Sequence, residues 1–445
     1  MRASFVVRPR IDPFARDESG FFTAFSLYSL VLILLITGLA LDLSNHYATR
    51  THLQTAADSA AHAAIVRRQT ESAADAKAAA LSVHAGNMPS ERYGAALTAD
   101  DIEFGTWDSS AAPSERFKPN ANARSAVRAT TRQVSSRANE VRTFLLRLVG
   151  LDSFDVAATA VFSLYQPPCL REGFVAEGKV DMQSNNNFFK GFCIHSNDHV
   201  RFNQNNYFEE GTIVSMPDLD KLDIPNSGFE QNEGLEAALR EGRMDIRILD
   251  QLEDIIDGLL DRDVDYLPDY INPLDPIVTL APNNNLEASD FTPGRVHRIT
   301  CSNSNGKFGF RNDVVLSEIV IVTNCQISMS QSMRLEDVVV ATTNTDSKSI
   351  SGASSANFGR DDNCAPGGGA QIITLGGMEF PSSLGIFGSQ LLAQGSIKFA
   401  ARADGIQGAS MVAGGQIDGT SNSTMALCGT GMDDNFEADY FRMVM

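Results

Sequence analysis

An uninterrupted apolar stretch near the amino end constrains this chain more than any other feature of its sequence. Between Phe21 and Leu41, in FFTAFSLYSLVLILLITGLAL, there is no charged residue. Twenty-one residues of α-helix rise about 31 Å, which matches the roughly 30 Å apolar core of a bilayer. A cleaved secretory signal would be shorter and would end in a small-residue cleavage site, whereas DLSN follows Leu41 here. The sequence therefore predicts one retained transmembrane helix over residues 21–41.

The charges on either side of this span predict its orientation. Only Arg50 follows the span within about 15 residues, a distance over which flanking charges act on topology. Four arginines precede it: Arg2, Arg8, Arg10 and Arg16. Because basic flanks stay in the cytoplasm, residues 1–20 are predicted to be cytoplasmic. The bulk of the chain then lies across a bacterial inner membrane, in the periplasm, where disulfides are permitted.

The residues that follow the span form a predicted helical stalk, residues 42–66. This run contains neither Gly nor Pro and is rich in Ala, the strongest helix former. Small residues recur mostly at steps of three or four, which places them on one face. That face packs either on the chain's own next domain or on a helix of another subunit.

Several residues around the span and in the stalk carry a family resemblance. DESG at 17–20, then the span, then GLALDLSNHYATRTHLQTAADSAAHAA at 38–64 resembles the N-terminus of TadG-like proteins. These belong to the TadE/TadG-like group of Flp (tight-adherence) pilus assembly proteins. The matching motif residues are Gly20, Asp42, Tyr47, Leu53, Gln54, Ala56, Ala57, Asp58, Ala60 and Ala61. The resemblance implies a membrane component of a pilus assembly or secretion apparatus, with pilus assembly or pilin proteins as partners, rather than an enzyme.

Gly20 also raises the question of prepilin processing. Pilin-like relatives are cleaved after a Gly and carry a Glu five residues beyond the cut, where this chain has Phe25. In a pilin that buried carboxylate neutralises the new amino terminus of a neighbouring subunit, and an unpaired charge in the membrane is costly. We therefore predict that the chain is not cleaved at Gly20 and remains anchored.

Residues 42–166 are predicted to comprise the stalk helix and a small pilin-like α+β domain. Strand patterns occur at 101–108, 126–134 and 154–162, and a further helix is predicted at 72–84. VRTFLLRLV at 141–149 predicts a short amphipathic helix between the last two strands. A long helix followed by a small sheet is the layout that the family resemblance also implies.

Internal repetition dominates residues 167–445. VDMQSNNNFF at 180–189 aligns with VRFNQNNYFE at 200–209, which pairs Val180 with Val200 and Asn185 with Asn205. A 20-residue period with an Asn corner is typical of one coil of a parallel β-helix, and Asn tolerates the left-handed backbone of a tight corner. Later β-like runs, with Ile397 and Ile417 again 20 apart, fit the same fold, although an all-β sandwich gives similar patterns.

The six cysteines support the same interpretation. Cys169 and Cys193 are 24 residues apart, and so are Cys301 and Cys325, so each pair could meet on adjacent coils. Cys364 and Cys428 would form the third bridge. Six cysteines allow 15 pairings, so this sequential pairing is a hypothesis. A metal site is the alternative, but there is no C-x-x-C.

Residues 235–265 interrupt the β pattern with an amphipathic helical insertion, either a lid on the β region or a docking helix for a partner. Asp261-x-Asp263-x-Asp265 lacks the Gly and the acid of an EF-hand loop, which leaves a looser Ca²⁺ site open. His195 and His199 flank Asp198; the β-helix reading makes them surface histidines of a turn.

Composition excludes several classes. With 36 Lys and Arg against 55 Asp and Glu, the chain has a formal net charge of -19, which opposes nucleic-acid binding. No motif implies a cofactor, a metal or catalysis, and the sequence does not specify an oligomeric state. The predicted fold is α+β: a transmembrane helix and stalk with a small pilin-like domain, then a mostly β region, a parallel β-helix with a helical insertion. The predicted function is a non-enzymatic, membrane-anchored pilus assembly component. The alternative is an anchored β-helix protein that binds or cleaves polysaccharide, an analogy from fold alone.

Overall fold

The computed structural model describes residues 19–363, 365–429 and 432–445, without the side chains of residues 19–21 and 404. The chain divides into two compact units. Unit 1 comprises Met1–Tyr165 and Tyr440–Met445, and unit 2 comprises Gln166–Asp439. Residues 1–18 of the predicted cytoplasmic N-terminus and Cys364 fall outside the described residues.

The predicted span and the predicted stalk form one continuous helix, α1 (Ser19–Thr70), of 52 residues. No proline interrupts it, so every carbonyl in the span keeps its helical partner. Its large apolar side chains between Phe22 and Leu43 are exposed, and within 22–41 the only buried position is Gly38. In the part of the chain that the structure describes, this is the one helix long and apolar enough to cross a membrane.

The rest of unit 1 packs a second helix and an antiparallel sheet on the second half of α1. Ser72 starts the second helix, because its side chain accepts a hydrogen bond from the backbone N–H of Asp75. The helices are α2 (Ala73–Asn87) and α3 (Ser90–Tyr93), with 3₁₀ turns at Ala99–Asp101, Ser135–Arg137 and Leu146–Val149. The strands are β1 (Ile102–Trp107), β2 (Phe117–Pro119), β3 (Ala126–Gln133), β4 (Val141–Arg142), β5 (Ser153–Phe154) and β6 (Val156–Tyr165).

Unit 2 is mostly β. Its strands are β7 (Gly173–Ala176), β8 (Val180–Met182), β9 (Asn187–Phe189), β10 (Cys193–Ser196), β11 (Val200–Phe202), β12 (Asn206–Phe208), β13 (Ile213–Met216), β14 (Asn232–Glu233), β15 (Leu239–Glu241), β16 (Val278–Leu280), β17 (Arg295–Ile299), β18 (Lys307–Gly309), β19 (Val315–Thr323), β20 (Gln326–Met329), β21 (Arg334–Thr342), β22 (Ile350–Gly352), β23 (Asn357–Phe358), β24 (Ala370–Thr374), β25 (Met378–Ala393), β26 (Ile397–Ala413), β27 (Ile417–Asp418) and β28 (Thr424–Ala426). Its helices are α4 (Pro168–Arg171), α5 (Leu235–Ala238) and α6 (Leu252–Asp261), with 3₁₀ turns at Leu219–Lys221, Gly228–Gln231, Arg247–Gln251 and Ala288–Asp290.

These strands pair in parallel in one 22-stranded sheet, which confirms the predicted long β region. The predicted 20-residue repeat sets the register: Val180 pairs with Val200, and Phe188 with Phe208. Asn185 and Asn205 occupy the left-handed region, with φ of 61° and 62°. The parallel pairing brings equivalent side chains into contact, and the ring centroids of Phe188 and Phe208 lie 4.8 Å apart. Each such buried ring contributes roughly 1.5–3 kcal/mol.

The strands do not pair in chain order throughout. Strands β7, β8 and β9 pair on one side with β10, β11 and β12, and on the other side with the last strands, β26 to β28. Val175 thus pairs with both His195 and Val412. Strands from the two ends of unit 2 therefore lie next to each other within the sheet. The sheet is not closed, and a β-helix stays a prediction.

Two of the three predicted disulfides are present. Cys169 is bonded to Cys193 and Cys301 to Cys325, with Cα separations of 5.1 and 5.4 Å. In each pair the two cysteines are 24 residues apart in sequence. The third predicted pair, Cys364 with Cys428, involves a residue outside the described part and stays a prediction.

The predicted helical insertion, 235–265, contains α5, the short strand β15, a 3₁₀ turn and α6. The apolar side of α6 is buried against β17, β19 and β24, through Leu252, Ile255, Ile256 and Leu259. Its acidic residues Glu253, Asp254 and Asp257 lie on the exposed side. In the described chain the insertion covers the sheet, as the lid interpretation expects.

The chain returns to unit 1 after unit 2. Strand β29 (Tyr440–Met443) pairs antiparallel with β6 and completes a five-stranded sheet in the order β2-β1-β3-β6-β29. Tyr440 lies directly opposite Tyr165. Unit 2 is therefore inserted between two adjacent strands of unit 1, at the place where a simple hairpin would have its turn.

The helix predicted at 141–149 is wrong. Residues 141–142 form β4, which pairs with β5, and only Leu146–Val149 forms a single 3₁₀ turn. An isolated helix of nine residues is marginal by itself, and the β4–β5 pairing holds both ends of this segment. The backbone N–H groups that would start the helix have another acceptor, described below.

Candidate functional site

The small-residue face of the stalk packs within unit 1. Six side chains on one side of α1 have no exposed surface: Leu53, Ala56, Ala57, Ala60, Ala61 and Ala64. They contact β3, β6 and α2. Because an Ala side chain is only a methyl group, the helix axis can approach the sheet closely. The face therefore packs on the chain's own domain, the first of the two arrangements considered above.

Polar motif residues attach the same helix to the sheet. Gln54 Nε2 donates to Asp58 Oδ1 at 2.7 Å and to the carbonyl oxygen of Thr159 at 3.2 Å. From the sheet, Thr131 Oγ1 donates to the carbonyl oxygen of Leu53 at 2.9 Å. The bonds from Gln54 to Thr159 and from Thr131 to Leu53 join α1 to the sheet, so these motif residues position the helix.

Asp42 has a different task. Its Oδ1 accepts a hydrogen bond from the N–H of Phe144 at 2.5 Å, and its Oδ2 accepts from the N–H groups of Leu145 and Leu146 at 3.0 and 2.7 Å. N–H groups at the start of a helical turn have no partner within the turn, and Asp42 supplies the acceptor. The Asp42 side chain is buried. It thus fixes residues 144–151, FLLRLVGL, which we call the apolar loop, against the end of the span.

Sequence reasoning placed Asp42 in the motif but missed its partners. Three backbone N–H groups carry no residue-specific signal that could identify them. The signal that was available is the position of a lone carboxylate at the end of an uncharged span, where it needs a partner.

The remaining motif residues do not join this site. Tyr47 is 63% exposed on the helix surface, and Gly20 is the second residue of α1. No finding tests cleavage after Gly20.

The histidines predicted to lie on a surface turn are divided. The prediction is wrong for His195, which is buried on β10. Its burial is possible because both ring nitrogens have partners: Nδ1 lies 2.7 Å from Ser215 Oγ, and Nε2 lies 2.9 Å from Asn197 Oδ1. Burial lowers the pKa of His195 and keeps the ring neutral. His199 Nδ1 lies 3.1 Å from Asp198 Oδ2. Hydrogen bonds occupy both ring nitrogens of His195, which therefore stabilises stacked strands.

Metal chemistry finds no support among the residues that the structure describes, since no group of three or more His, Cys, Asp or Glu side chains could hold an ion. Asp261, Asp263 and Asp265 are all exposed, and Asp263 Oδ1 accepts the backbone N–H of Asp265 at 3.1 Å.

A cluster of acidic groups marks the last segment of unit 2. Burial raises the pKa of Asp434, and the nearby Asp337, Asp269 and Asp433 raise it further. Burial also raises the pKa of Glu437 and Asp439, against the opposing effect of Arg171 and Arg247. Arg171 pairs with Asp433 at 2.7 Å. These contacts hold residues 432–439 on unit 2.

Comparison with known families assigns both units. The model of a family described as putative Flp pilus-assembly TadE/G-like matches residues 20–83, which includes the span and the stalk. The model of a domain of unknown function (DUF7867) matches residues 173–429, more than half of the chain. The curated proteins give no match. The chain therefore belongs to the DUF7867 family and carries a TadE/G-like Flp pilus-assembly domain at its N-terminus.

Proposed function

We propose that this protein is a non-enzymatic, membrane-anchored component of a Flp/Tad-type pilus assembly apparatus that presents unit 2 in the periplasm. The observation that carries the proposal is the TadE/G-like match over residues 20–83, which includes the apolar part of α1, a helix long and apolar enough to span a membrane. Helix α1 is the anchor, and the partners are pilin or other pilus assembly proteins.

The periplasmic placement of unit 2 is part of the proposal. Two observations support it: the basic residues that precede the span and the two disulfides in unit 2, which persist in an oxidising compartment. Reporter fusions at residue 1 and after residue 445, one active only in the cytoplasm and the other only in the periplasm, test this topology. A cytoplasmic C-terminal reporter would contradict it.

We further infer that unit 2 winds as a parallel β-helix. The parallel pairings at steps of 19 or 20 residues support this winding, as in Ile319 with Val338 and Ile397 with Ile417. Coils that stack in this way expose long, regular surfaces suited to protein contacts. Small-angle scattering of the detergent-solubilised protein, compared with the unit 1 carrier described next, measures whether unit 2 is elongated.

The decisive experiment removes unit 2 and leaves the anchor folded. Truncation after residue 165 would also remove β29, so the variant instead joins Tyr165 to Tyr440, which are opposite each other, through an Asn-Gly turn. If unit 2 acts in assembly, this carrier reaches the membrane at normal levels but cells lose surface pili. Normal piliation together with accumulation of an uncleaved polysaccharide would instead favour the carbohydrate-active alternative.

A further inference from the structure

The apolar loop exposes more hydrophobic surface than its own domain can cover. Phe144, Leu148, Val149 and Leu151 are 58%, 75%, 58% and 52% exposed. Isolated exposed apolar residues are common on soluble proteins, but four within eight residues form a contiguous patch. Such a patch indicates a contact surface for a membrane or another protein.

The position of the loop along α1 indicates which of these it meets. Leu145 lies against Gly38, where an added Cβ would approach the Leu145 Cβ to 2.7 Å. Gly38 precedes the end of the predicted span, Leu41, by three residues, or about 5 Å of helix. The loop therefore lies beside helix residues that are themselves within the apolar span.

A groove extends this contact deeper. The side chains of Leu145, Leu146, Leu148 and Val149 line one wall of an apolar groove of about 210 Å³, and helix residues between Val31 and Leu39 line the other. Val31 lies ten residues before Leu41, which is about 15 Å of helix, or half of the roughly 30 Å hydrocarbon core. The loop and groove thus cover the depth of one leaflet.

Several backbone groups of the loop have the internal partners that every polar backbone group needs in lipid. Asp42 accepts from the N–H groups of Phe144, Leu145 and Leu146. Further along, Leu148 donates to the Leu145 carbonyl at 3.0 Å and Leu151 donates to the Leu146 carbonyl at 3.1 Å.

We propose that the apolar loop is a second membrane contact, which dips into the leaflet next to α1 and packs phospholipid acyl chains against its exposed side chains and the groove. Asp42 is the positioning residue. Arg142 and Arg147 are both exposed, and their long side chains can reach headgroup phosphates. The inference depends on the proposed membrane placement of the span, and it means that unit 1 is held at two points rather than swivelling on one helix.

Depth-dependent fluorescence tests the proposal in the full-length protein. Trp107 is the only tryptophan, so Trp107→Phe gives a background into which one reporter is placed. Leu148→Trp reports on the loop and Leu32→Trp on the middle of the span. Leu274→Trp, at a leucine in unit 2 that is 88% exposed, is the control for an exposed apolar site. Each variant is reconstituted in phosphatidylcholine–phosphatidylglycerol vesicles with or without brominated acyl chains.

We expect brominated lipid to quench the Leu148→Trp and Leu32→Trp reporters and to leave Leu274→Trp unchanged. Adding Asp42→Asn to the Leu148→Trp variant should reduce quenching there, while the same change leaves the Leu32→Trp signal intact. Quenching at Leu32→Trp without quenching at Leu148→Trp would overturn the loop proposal alone. If the unquenched Leu148→Trp emission is blue-shifted, protein rather than lipid covers the loop, and the loop proposal is equally overturned. If neither is quenched, the anchor itself fails and the proposed function fails with it.

Discussion

Unit 1 and unit 2 contain the same number of basic residues, 18 each, but unit 1 has 16 acidic residues and unit 2 has 39. Their formal net charges are therefore +2 and -21. A nearly neutral unit carries the span and can approach the anionic surface of a membrane, whereas the acidic unit is repelled from it. The charge of the whole chain, -19, hides this division. Composition is therefore best read separately for each unit.

The two units also differ in how their interiors are built. The interior of unit 1 is formed by alanines of α1 against a sheet, so it depends on a close approach between two elements. Unit 2 repeats large side chains from coil to coil, with Phe174, Phe188, Phe202 and Phe308 among its fully buried residues. Unit 1 should thus be sensitive to added volume, and unit 2 to removed volume.

The largest effect that separates the units should come from Phe188→Ala. Phe188 has no exposed surface and its ring contacts those of Phe192, Phe202 and Phe208. Its removal leaves a cavity in the stack and should lower the free energy of unfolding of unit 2 by about 4 kcal/mol. Peptide-resolved hydrogen exchange measures it. Phe189→Ala, on the same strand but half-buried, is the matched control. An equal loss of protection in both variants would contradict the stacking argument.

The next largest effect should come from the paired variant Cys301→Ser and Cys325→Ser. The bond closes a loop with a sequence separation of 24, and chain-entropy arguments assign about 3 kcal/mol to such a loop. Denaturant unfolding should show the loss in unit 2, while Trp107 fluorescence, which reports on unit 1, keeps its midpoint. A shift in the Trp107 transition would show that the units do not unfold independently.

Acid should affect the units in opposite directions. Burial works to raise the pKa of Asp101, but hydrogen bonds from Arg137, Thr98 and Arg132 outweigh it and lower that pKa to about 2. A carboxyl group with a lowered folded-state pKa stabilises the fold above its unfolded pKa, near 4, and loses this contribution as the pH falls through 2. We expect unit 1 to lose about 2 kcal/mol of stability over that range.

In unit 2 the pKa values of Asp434, Glu437 and Asp439 are raised. Their contribution is fully present below the unfolded pKa and is lost as the pH rises through the folded value. Because these three residues are exposed and solvent screens their interactions, mild acidification toward pH 4 should stabilise unit 2 only slightly, but with the opposite sign to the loss in unit 1. Acid unfolding is followed by Trp107 fluorescence for unit 1 and by hydrogen exchange for unit 2. Asp101→Asn is the control, because it should remove the pH dependence of unit 1 stability in this range. Parallel responses of the two units would contradict the prediction.

The smallest effect should come from salt. The Debye length falls from about 10 Å at 0.1 M to about 3 Å at 1 M, so added NaCl screens the mutual repulsion of the acidic residues of unit 2. The midpoint of unit 2 in urea should rise with NaCl, and that of unit 1, with its balanced charge, should stay constant. A rise in unit 1 that equals the rise in unit 2 would show that screening of the acidic surface is not the cause.

The repeat made much of unit 2 predictable. The 20-residue shift correctly predicts the pairs Val180 with Val200, Phe188 with Phe208 and Ile397 with Ile417, because parallel pairing at this shift places similar side chains side by side. The order of the strands in the sheet was not predictable. The pairing of Val175 with Val412 joins residues far apart in sequence, and neither residue type specifies the other.

In unit 1 the extent of α1 followed from composition, since an uncharged run and an Ala-rich run adjoin without a breaker. The strands β2 and β29 were missed because three or four residues are too few for a periodic pattern to appear. The apolar loop was mistaken for a helix because its apolar spacing is helical. Its backbone donors instead bond to a carboxylate about a hundred residues earlier in the chain, which sequence spacing cannot show.

The insertion of unit 2 between Tyr165 and Tyr440 also determines the order in which the two units can be completed during synthesis. Strand β29 follows unit 2 in the chain, so the sheet next to α1 lacks its outermost strand until all 274 residues from Gln166 to Asp439 have been synthesised. Helix α1 is synthesised early, but its own domain is completed last. A chain interrupted anywhere inside unit 2 therefore leaves β6 as an open edge, and such an edge is a template for pairing with another chain.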